Sequence, residues 1–433
     1  MKKIFTAALA TALSVAAFAQ SGTNSPYSQY GLGVLSDQTS GFNRGMNGLG
    51  LAFHEHNQVN FLNPASYATI DSLTFIFDAG LSGQITNFSE EGQKINANNA
   101  AFEYAVGAFR LAKHVGVSFG ILPYTNVGYD YSFKKYMTEN ITSTSTYYQN
   151  SYSGEGGLHQ VYLGAGWQPF KGFSFGVNGS YLWGDYTRTV SNLYSESTVN
   201  SLYKTYSASV NSYKVDFGLQ YAVKLTKKDE VTIGATYSFG HKLGADAECM
   251  VLLSNSETST VDTTAYTANN ALELPTTYGV GLAWIHNRSL KLGVDYSLQK
   301  WSEVSYPQYI ESNGTARYSL QSGLFSDRHK LTVGGEYCAN EAGRSFFKRL
   351  RYRFGASYAT PYLKINGQDG PKEYSVSAGF GIPIVNTYNS RSILNISAQW
   401  VHQDSKTFIT ENTFRINIGI TFNERWFAKW KMD

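Results

Sequence analysis

Side chains that could perform chemistry are few in this sequence. His54, Glu55 and His56 follow one another in an Asn- and Gly-rich region and offer two imidazoles and a carboxylate, which are common metal ligands. Alternate residues of an extended segment point apart, however, and the spacing identifies no third ligand. The favoured interpretation is a solvated turn, so the sequence predicts no metal site.

Catalytic arrangements are also missing from the sequence pattern. We find no spacing typical of a Ser-His-Asp triad or of paired carboxylates, and His159, His241, His329 and His402 are scattered. The glycines of GMNGLG at 45–50 lack the strand-to-helix context of a nucleotide-binding loop. We therefore expect neither an enzyme nor a cofactor. The net charge of +3 is too small to indicate a nucleic acid partner.

An acidic stretch and two cysteines allow more than one interpretation. Residues 246–275 contain five carboxylates and no Lys or Arg. Such a loop could bind calcium or lipopolysaccharide bridged by calcium, but a solvated loop is the favoured interpretation. Cys249 and Cys338 cannot form a disulfide framework. They either form one bridge or remain two thiols, and the sequence leaves both alternatives open.

The composition indicates how the apolar residues are arranged. Aromatic residues make up 15% of the 433-residue chain and there are 41 glycines, while only 15% of residues are charged. Soluble domains average about 25% charged residues. The mean hydropathy of −0.28 argues against a bundle of transmembrane helices. A transmembrane β-barrel fits these values, because apolar residues facing lipid alternate with small polar residues facing water.

Fourteen runs of alternating apolar and polar residues extend from Leu73 to Phe422, which is typical of half-buried strands. Their connections alternate between short turns, many of them basic, and longer polar stretches. The long connections are expected at about 86–100, 124–157, 188–205, 246–275, 302–326, 361–372 and 403–411. Short periplasmic turns and long outer loops predict an all-β fold, a 14-stranded antiparallel transmembrane β-barrel over residues 72–422. A secreted sandwich or propeller is the disfavoured alternative.

Residues 1–19 have the pattern of a secretory signal peptide. Lys2 and Lys3 precede a short apolar stretch, and Ala17-Phe18-Ala19 forms a small-x-small cleavage site. Together with the barrel pattern, this export signal predicts an integral protein of the bacterial outer membrane.

Residues 20–71 are predicted to form a plug inside the barrel. The segment is rich in turn signals but holds too many aromatic residues for a free tail. A lumen bounded by fourteen strands is also wide enough to leak if it stays empty. We expect the gate of this plug (a hatch) to comprise Phe61, Asn63, Pro64, Ala65 and Tyr67. It should face polar lumen side chains such as Asp216, Gln220, Lys291, Asp295, Arg351 and Arg353.

Fourteen strands after an N-terminal segment that ends in Asn63-Pro64-Ala65 resemble the FadL-type outer-membrane transporters of fatty acids and other hydrophobic compounds. The stretches SPYSQYGLG, NRGMNGLG and NFLNPASY are similar to a Bacteroidota branch of that superfamily. The resemblance implies passive uptake of a hydrophobic ligand through a barrel with an N-terminal hatch. It also implies a kink in the third strand that opens the wall sideways, so that the ligand leaves into the bilayer.

The third run contains a candidate for that kink. Ile121 is followed by Pro123, and Gly128 comes five residues later. Proline cannot donate to a strand ladder, so inside a closed sheet it implies a bulge or a break. Under the alternative interpretation, Pro123 ends the strand at the outer rim.

Two features differ from the family pattern. The outer stretches are rich in Ser, Thr, Asn and Tyr rather than apolar, which leaves room for a structural or accessory barrel subunit of a multi-protein outer-membrane assembly or secretion machine. An aromatic and basic tail at 423–433 also continues past the last strand, with Arg425, Trp426, Phe427 and Trp430. We favour an interfacial anchor on anionic lipid; the alternative is docking to a periplasmic or membrane protein. The expected partners are therefore outer-membrane lipid and lipopolysaccharide, a hydrophobic ligand and a protein partner.

Overall fold

The computed structural model describes residues 22–90, 92–137, 145–341, 343–385, 391–405 and 408–424. Within these ranges the chain is mostly β-strand, and its helices have one or two turns. The 3₁₀ turns are Pro26–Gln29, Pro64–Thr69 and Trp301–Glu303, and the α-helical turns are α1 (Gly41–Arg44) and α2 (Phe346–Arg349). A search of the described residues finds no helix with the length and apolar character needed to cross a membrane.

The strands are numbered in chain order. They are β1 Val34–Leu35, β2 Phe75–Glu90, β3 Gln93–Ala112, β4 Val115–Tyr136, β5 Tyr147–Phe170, β6 Phe173–Tyr194, β7 Ser201–Lys224, β8 Asp229–Ser238, β9 Ala247–Asn255, β10 Thr260–Ala268, β11 Thr277–His286, β12 Leu290–Gln299, β13 Tyr306–Ser312, β14 Thr315–Gln321, β15 Arg328–Tyr337, β16 Arg351–Ala359, β17 Lys364–Ile365, β18 Gln368–Asp369, β19 Lys372–Val385, β20 Arg391–Asp404 and β21 Thr410–Glu424.

Fourteen strands form a closed antiparallel ring: β2–β8, β11, β12, β15, β16 and β19–β21. The ring closes where β2 pairs with β21, from Phe75 opposite Glu424 to Ser89 opposite Thr410. The alternation along the strands places apolar side chains such as Leu163 on the exposed outer face. Because the ring is closed, the strands can cross lipid without leaving backbone amide and carbonyl groups unpaired at a sheet edge. The predicted 14-stranded antiparallel barrel is confirmed.

Three of the seven predicted long connections, 86–100, 124–157 and 188–205, are wrong, because strands of the ring run through them. β4 to β7 are each 22–24 residues long and occupy most of 124–157 and 188–205, while β2 and β3 occupy most of 86–100. The outer parts of these strands carry Ser, Thr, Asn and Tyr, so they lack the alternation that marks a face buried in lipid. The acidic stretch 246–275 likewise holds a hairpin, in which β9 pairs with both β10 and the outer half of β7.

Residues 22–71, which we call the lumenal segment, pack against inward-facing positions of the wall, and wall glycines permit the approach. A Cβ atom at Gly116 of β4 would lie 1.9 Å from the carbonyl oxygen of Tyr67, and one at Gly234 of β8 would lie 2.1 Å from that of Leu51. At Gly355 of β16 the nearest atoms belong to Met46, at 2.3 Å. The segment therefore touches the ring on several sides.

Gly116 provides a test of this packing. We expect Gly116→Val to lower the temperature at which the barrel unfolds and to destabilise it by about 1–3 kcal/mol, because the new side chain must displace the backbone of Tyr67. Heat-dependent gel mobility and circular dichroism measure the loss. Gly83→Val in β2 is the matched control, since a Cβ there meets nothing within 4 Å. Equal stability of the two variants would contradict the packing.

Candidate functional site

The predicted gate residues lie together on the inner face of the barrel. Asn63 accepts a hydrogen bond from the Ala65 amide and so caps the turn Pro64–Thr69, which begins with proline, as is common in a first helical turn. Its Nδ2 donates to the carbonyl oxygens of Leu51, Leu219 and Ala235 at 2.7, 3.1 and 3.4 Å. Asn63 thus ties the lumenal segment to both β7 and β8.

The remaining gate residues contact neighbouring strands. The Tyr67 hydroxyl donates to Asn178 of β6 at 3.1 Å, and the Phe61 ring lies 6.0 Å from the rings of both Tyr104 and Tyr162. The Pro64 and Ala65 backbone atoms would lie within 2.4–2.7 Å of a Cβ at Gly176. These residues therefore pack on the inner face of the wall near the short turns.

A buried charge cluster positions the middle of the lumenal segment. Glu55, which is 6% exposed, pairs with Lys291 of β12 and lies 3.8 Å from Arg351 of β16. Glu336 of β15 accepts from Arg351 at 2.8 Å and from Arg353 at 2.7 Å. Burial and the nearby Glu336 would raise the pKa of the Glu55 carboxyl, but Lys291 and Arg351 outweigh them and hold it below its ordinary value.

Other polar lumen residues bond mainly to the backbone of the segment. Asp295 accepts from the amides of Gly50 and Leu51 at 2.7 and 2.8 Å. Gln220 donates to the carbonyls of Leu51 and Phe53, and Arg353 reaches Gln58 at 3.3 Å. Of the six predicted lumen partners, Asp216 differs, because it forms an ion pair with Lys214 of its own strand.

Two further ion pairs join the lumenal segment to strands at or beside the β2–β21 pairing that closes the ring. Arg44 pairs with Glu103 of β3 at 2.8 Å, and Asp37 pairs with Arg415 of β21 at 2.9 Å. Burial opposes ionisation of Asp37, but Lys330, Arg415 and Arg44 together lower the pKa of its carboxyl to about 2. The segment is therefore held electrostatically to the first and last parts of the wall.

The triplet 54–56 is not a solvated turn. Glu55 enters the charge cluster, while His54 lies 3.4 Å from Glu230 and His56 lies 2.9 Å from Asp71. The three side chains thus have separate partners, and the described residues contain no group of three or more potential ligands that could hold a metal. Sequence reasoning missed Glu55 because its partner Lys291 is more than 200 residues away.

Cys249 and Cys338 are both buried free thiols, so they do not pair. Cys249 lies in β9 of the outer hairpin, whereas Cys338 follows β15 near a short turn. The proposed signal peptide and the tail residues Arg425, Trp426, Phe427 and Trp430 lie outside the described residues.

The barrel wall has a lateral gap between β3 and β4. The two strands pair only from Ala105 opposite Ile121 to Ala112 opposite Val115, yet both continue outward. Above Ile121, β4 instead pairs with β1 of the lumenal segment, with Val34 opposite Asn126. We call the space between the outer parts of β3 and β4 the window.

A bulge lies in β4 at the base of the window. The register with β5 shifts between Pro123 and Thr125, and the strand continues beyond it, so Pro123 does not end the strand. The bulge changes which residues of β4 are buried. Even-numbered residues such as Ser118 and Leu122 are buried before it, and odd-numbered residues such as Val127 and Tyr129 are buried after it. A bulge of this kind bends a strand and increases its twist.

Three glycines continue the irregularity across the next two strands. Gly156 and Gly157 of β5 and Gly184 of β6 have φ values of 111°, 140° and 144°, in the region that favours glycine. Gly157 pairs with Asn126 and with Asp185, which places the glycines beside the bulge. Sequence reasoning missed them, although glycine inside a strand pattern is a recognised signal of a bulge.

The window opens into a cavity of about 1720 Å³. Residues from both faces of the wall line the cavity. On β4, for example, Tyr129 and Tyr131 lie on one face and the exposed Asp130 between them lies on the other. The Tyr131 ring stacks on that of Tyr152, with centroids 5.1 Å apart and an interplanar angle of 15°. The predicted kink residues Ile121, Pro123 and Gly128 also line the cavity. The lining is therefore rich in aromatic side chains and includes the predicted kink residues.

This geometry defines a closed 14-stranded barrel with a segment packed on its inner face and an interrupted pairing between β3 and β4, and comparisons with known proteins specify the family. A family model described as BamG matches residues 1–433, so the chain belongs to the BamG family. No curated protein matches the chain.

Solved structures share the fold at low sequence identity. The Pseudomonas putida toluene transporter TodX is 16% identical, with 92% of this chain and 100% of that chain covered and a TM-score of 0.60. The Ralstonia pickettii toluene transporter TbuX is 15% identical, with 90% and 99% covered and a TM-score of 0.59. A Pseudomonas aeruginosa FadL homologue is 13% identical, with 90% and 98% covered and a TM-score of 0.58. The architecture is thus of the FadL type.

The charge cluster yields a prediction about the stability of the barrel. We expect Glu336→Ala to destabilise the barrel by about 3–5 kcal/mol, because it leaves Lys291, Arg351 and Arg353 buried with too few carboxylates. Denaturant unfolding in detergent measures the change. Glu303→Ala is the control, since Glu303 is exposed and lies 3.8 Å from Lys300, and it should be close to neutral. A neutral Glu336→Ala would contradict a structural role for the cluster.

Proposed function

We propose that this chain is an outer-membrane channel that admits hydrophobic small molecules passively and releases them sideways through the window. The observation that carries the proposal is the large cavity lined by residues of β3 and β4 in the region where these strands do not pair. Its volume exceeds the roughly 300–1,000 Å³ of ordinary ligand pockets, so it can hold a ligand and leave a path to the lipid.

The filled lumen supports a sideways path. The turn Pro64–Thr69 lies against glycines of β4, β5 and β6 near the short turns, where a route straight through the barrel would have to pass. A ligand in the window meets tyrosine rings and a gap in the wall instead. Burial of apolar surface supplies the affinity, so uptake needs no catalytic group.

The lumenal segment is also placed to act as a gate. The Ser28 hydroxyl lies 3.1 Å from the amide nitrogen of Gly128, and β1 covers the edge of β4 beside the window. A ligand that binds better when this contact is broken would shift the segment toward an open arrangement. The solved structures named as toluene transporters have this fold, which favours a compact apolar or aromatic ligand.

Narrowing the window tests the proposal. We expect Ala101→Trp, at the β3 side of the cavity, to reduce uptake of labelled toluene or fatty acid by cells about fivefold or more. Ala235→Trp is the matched control, because Ala235 pairs with the exposed residues Leu219 and Val280 on another part of the wall. Both variants should reach the membrane in equal amounts. Unchanged uptake in Ala101→Trp across a broad ligand panel would refute the sideways route.

The outer extension favours a second candidate, an accessory barrel subunit of a multi-protein outer-membrane assembly. A strand needs only about 9–11 tilted residues to cross the hydrocarbon core, whereas β5 and β7 have 24. More than half of each strand therefore stands outside the lipid and presents a wide polar sheet. Such a sheet offers a large, rigid surface to another protein.

Co-purification distinguishes this candidate from a solitary channel. After crosslinking in whole cells and extraction in mild detergent, a subunit is expected to migrate with defined partners in stoichiometric amounts. Charge reversal on the exposed outer hairpin, for example Asp262→Lys, should weaken that association if the hairpin lies in the contact. A monomer with no crosslinked partner would argue against the second candidate.

A further inference from the structure

We propose that the window prefers organic cations with an apolar body over organic anions, so that hydrophobic amines are better ligands than fatty acids. This inference rests on the proposed channel function and specifies its substrate class. It follows from the charges and rings that line the cavity.

The charged residues lining the described part of the cavity are all acidic: Glu90, Asp130, Glu155 and Asp185. Each is exposed, and none forms an ion pair within the described residues. No Lys or Arg appears among the described lining residues. An entering ligand therefore meets negative charge that the wall leaves uncompensated.

Three of these carboxylates share one face of the bent wall. Glu155 lies opposite Gly128 and Thr187, Asp130 is two residues from Gly128, and Asp185 is two residues from Thr187. Diagonal neighbours in an antiparallel sheet are roughly 7–8 Å apart. The three like charges are thus concentrated beside the window, where each lowers the energy of a cation and raises that of an anion.

Two basic side chains on the same strands, Lys134 and Arg188, have other contacts. Lys134 lies over the rings of Tyr136 and Tyr147, at 5.0 and 3.5 Å from the centroids. Arg188 of β6 points inward and donates to the Tyr306 hydroxyl at 2.9 Å and to the Gly31 carbonyl at 2.8 Å. Neither side chain forms an ion pair with these carboxylates within the described residues.

The aromatic lining adds a second attraction for cations. Tyr129, Tyr131, Tyr152 and Trp183 all line the cavity, and Tyr131 and Tyr152 are stacked. The face of an aromatic ring attracts an ammonium group, and the same ring packs against an apolar body. Carboxylates combined with aromatic faces therefore match a hydrophobic ammonium ion. A fatty-acid carboxylate would meet four like charges, and His159 is the one basic side chain among the described lining residues.

The test compares three probes with one apolar body and different charges: 4-phenylbutylamine, 4-phenylbutanol and 4-phenylbutanoate. Binding to the full-length protein in nanodiscs of zwitterionic lipid is measured at neutral pH by calorimetry, with empty nanodiscs subtracted. We expect the amine to bind at least fivefold more tightly than the acid, with the alcohol between them. Raising the salt concentration should reduce the ratio, since the carboxylates are exposed.

Neutralising the wall provides the matched variant. The substitutions Asp130→Asn, Glu155→Gln and Asp185→Asn together should bring the ratio of amine to acid affinity close to one and leave the alcohol unchanged. Asp262→Asn on the distant outer hairpin removes an exposed charge from outside the cavity lining and should preserve the ratio. Glu155→Gln alone should lower the ratio in part and serves if the triple variant does not fold.

The possible failures are distinguishable. If the wild-type protein binds the alcohol but does not distinguish the amine from the acid, the charge preference is wrong and the channel proposal stands. If none of the three probes binds above the empty-nanodisc background, the proposed ligand cavity itself is wrong. A preference for the acid would overturn the inference directly.

Discussion

Backbone pairing is the constraint on which this structure depends. A strand that crosses lipid must satisfy its amide and carbonyl groups inside the wall, and a closed ring of fourteen strands does so for most of the circumference. Pairing stops between β3 and β4 above Ile121, and β1 of the lumenal segment then covers part of the exposed edge of β4. The window, its partial cover and the cavity behind it all follow from that interruption.

Buried charge gives the lumenal segment its position. Glu55, Arg44 and Asp37 form ion pairs with three different parts of the wall, on β12, β3 and β21 respectively. Buried ion pairs are weak evidence for stability, because desolvation opposes the attraction. They are better suited to selecting one arrangement among many. Here they fix the position of the lumenal segment, because the glycines on the inner face of the wall offer few side chains that could interlock with it.

Sequence periodicity identified the fourteen strands because one face of each meets lipid, which imposes a period of two. The same reasoning failed above the lipid, where β4 to β7 continue with Ser, Thr, Asn and Tyr and no face is consistently apolar. Pro123 marked a backbone irregularity, but the nearby Gly157 of β5 and Gly184 of β6 were missed. They belong to adjacent strands and come together only through register. The pairing of Glu55 with Lys291 was invisible for a similar reason, since long-range contacts inside a lumen leave no local pattern.

The seam between β2 and β21 has a consequence for how the molecule is made. These strands lie more than 300 residues apart in the chain, and such non-local pairing is slow. The lumenal segment precedes β2 directly and bonds to the far side of the seam, through Asp37 to Arg415 and through Arg44 to Asn417 at 3.2 Å. Residues 22–71 are thus suited to recruit the final strand, so that the chain is wrapped around its own N-terminal segment as the ring closes.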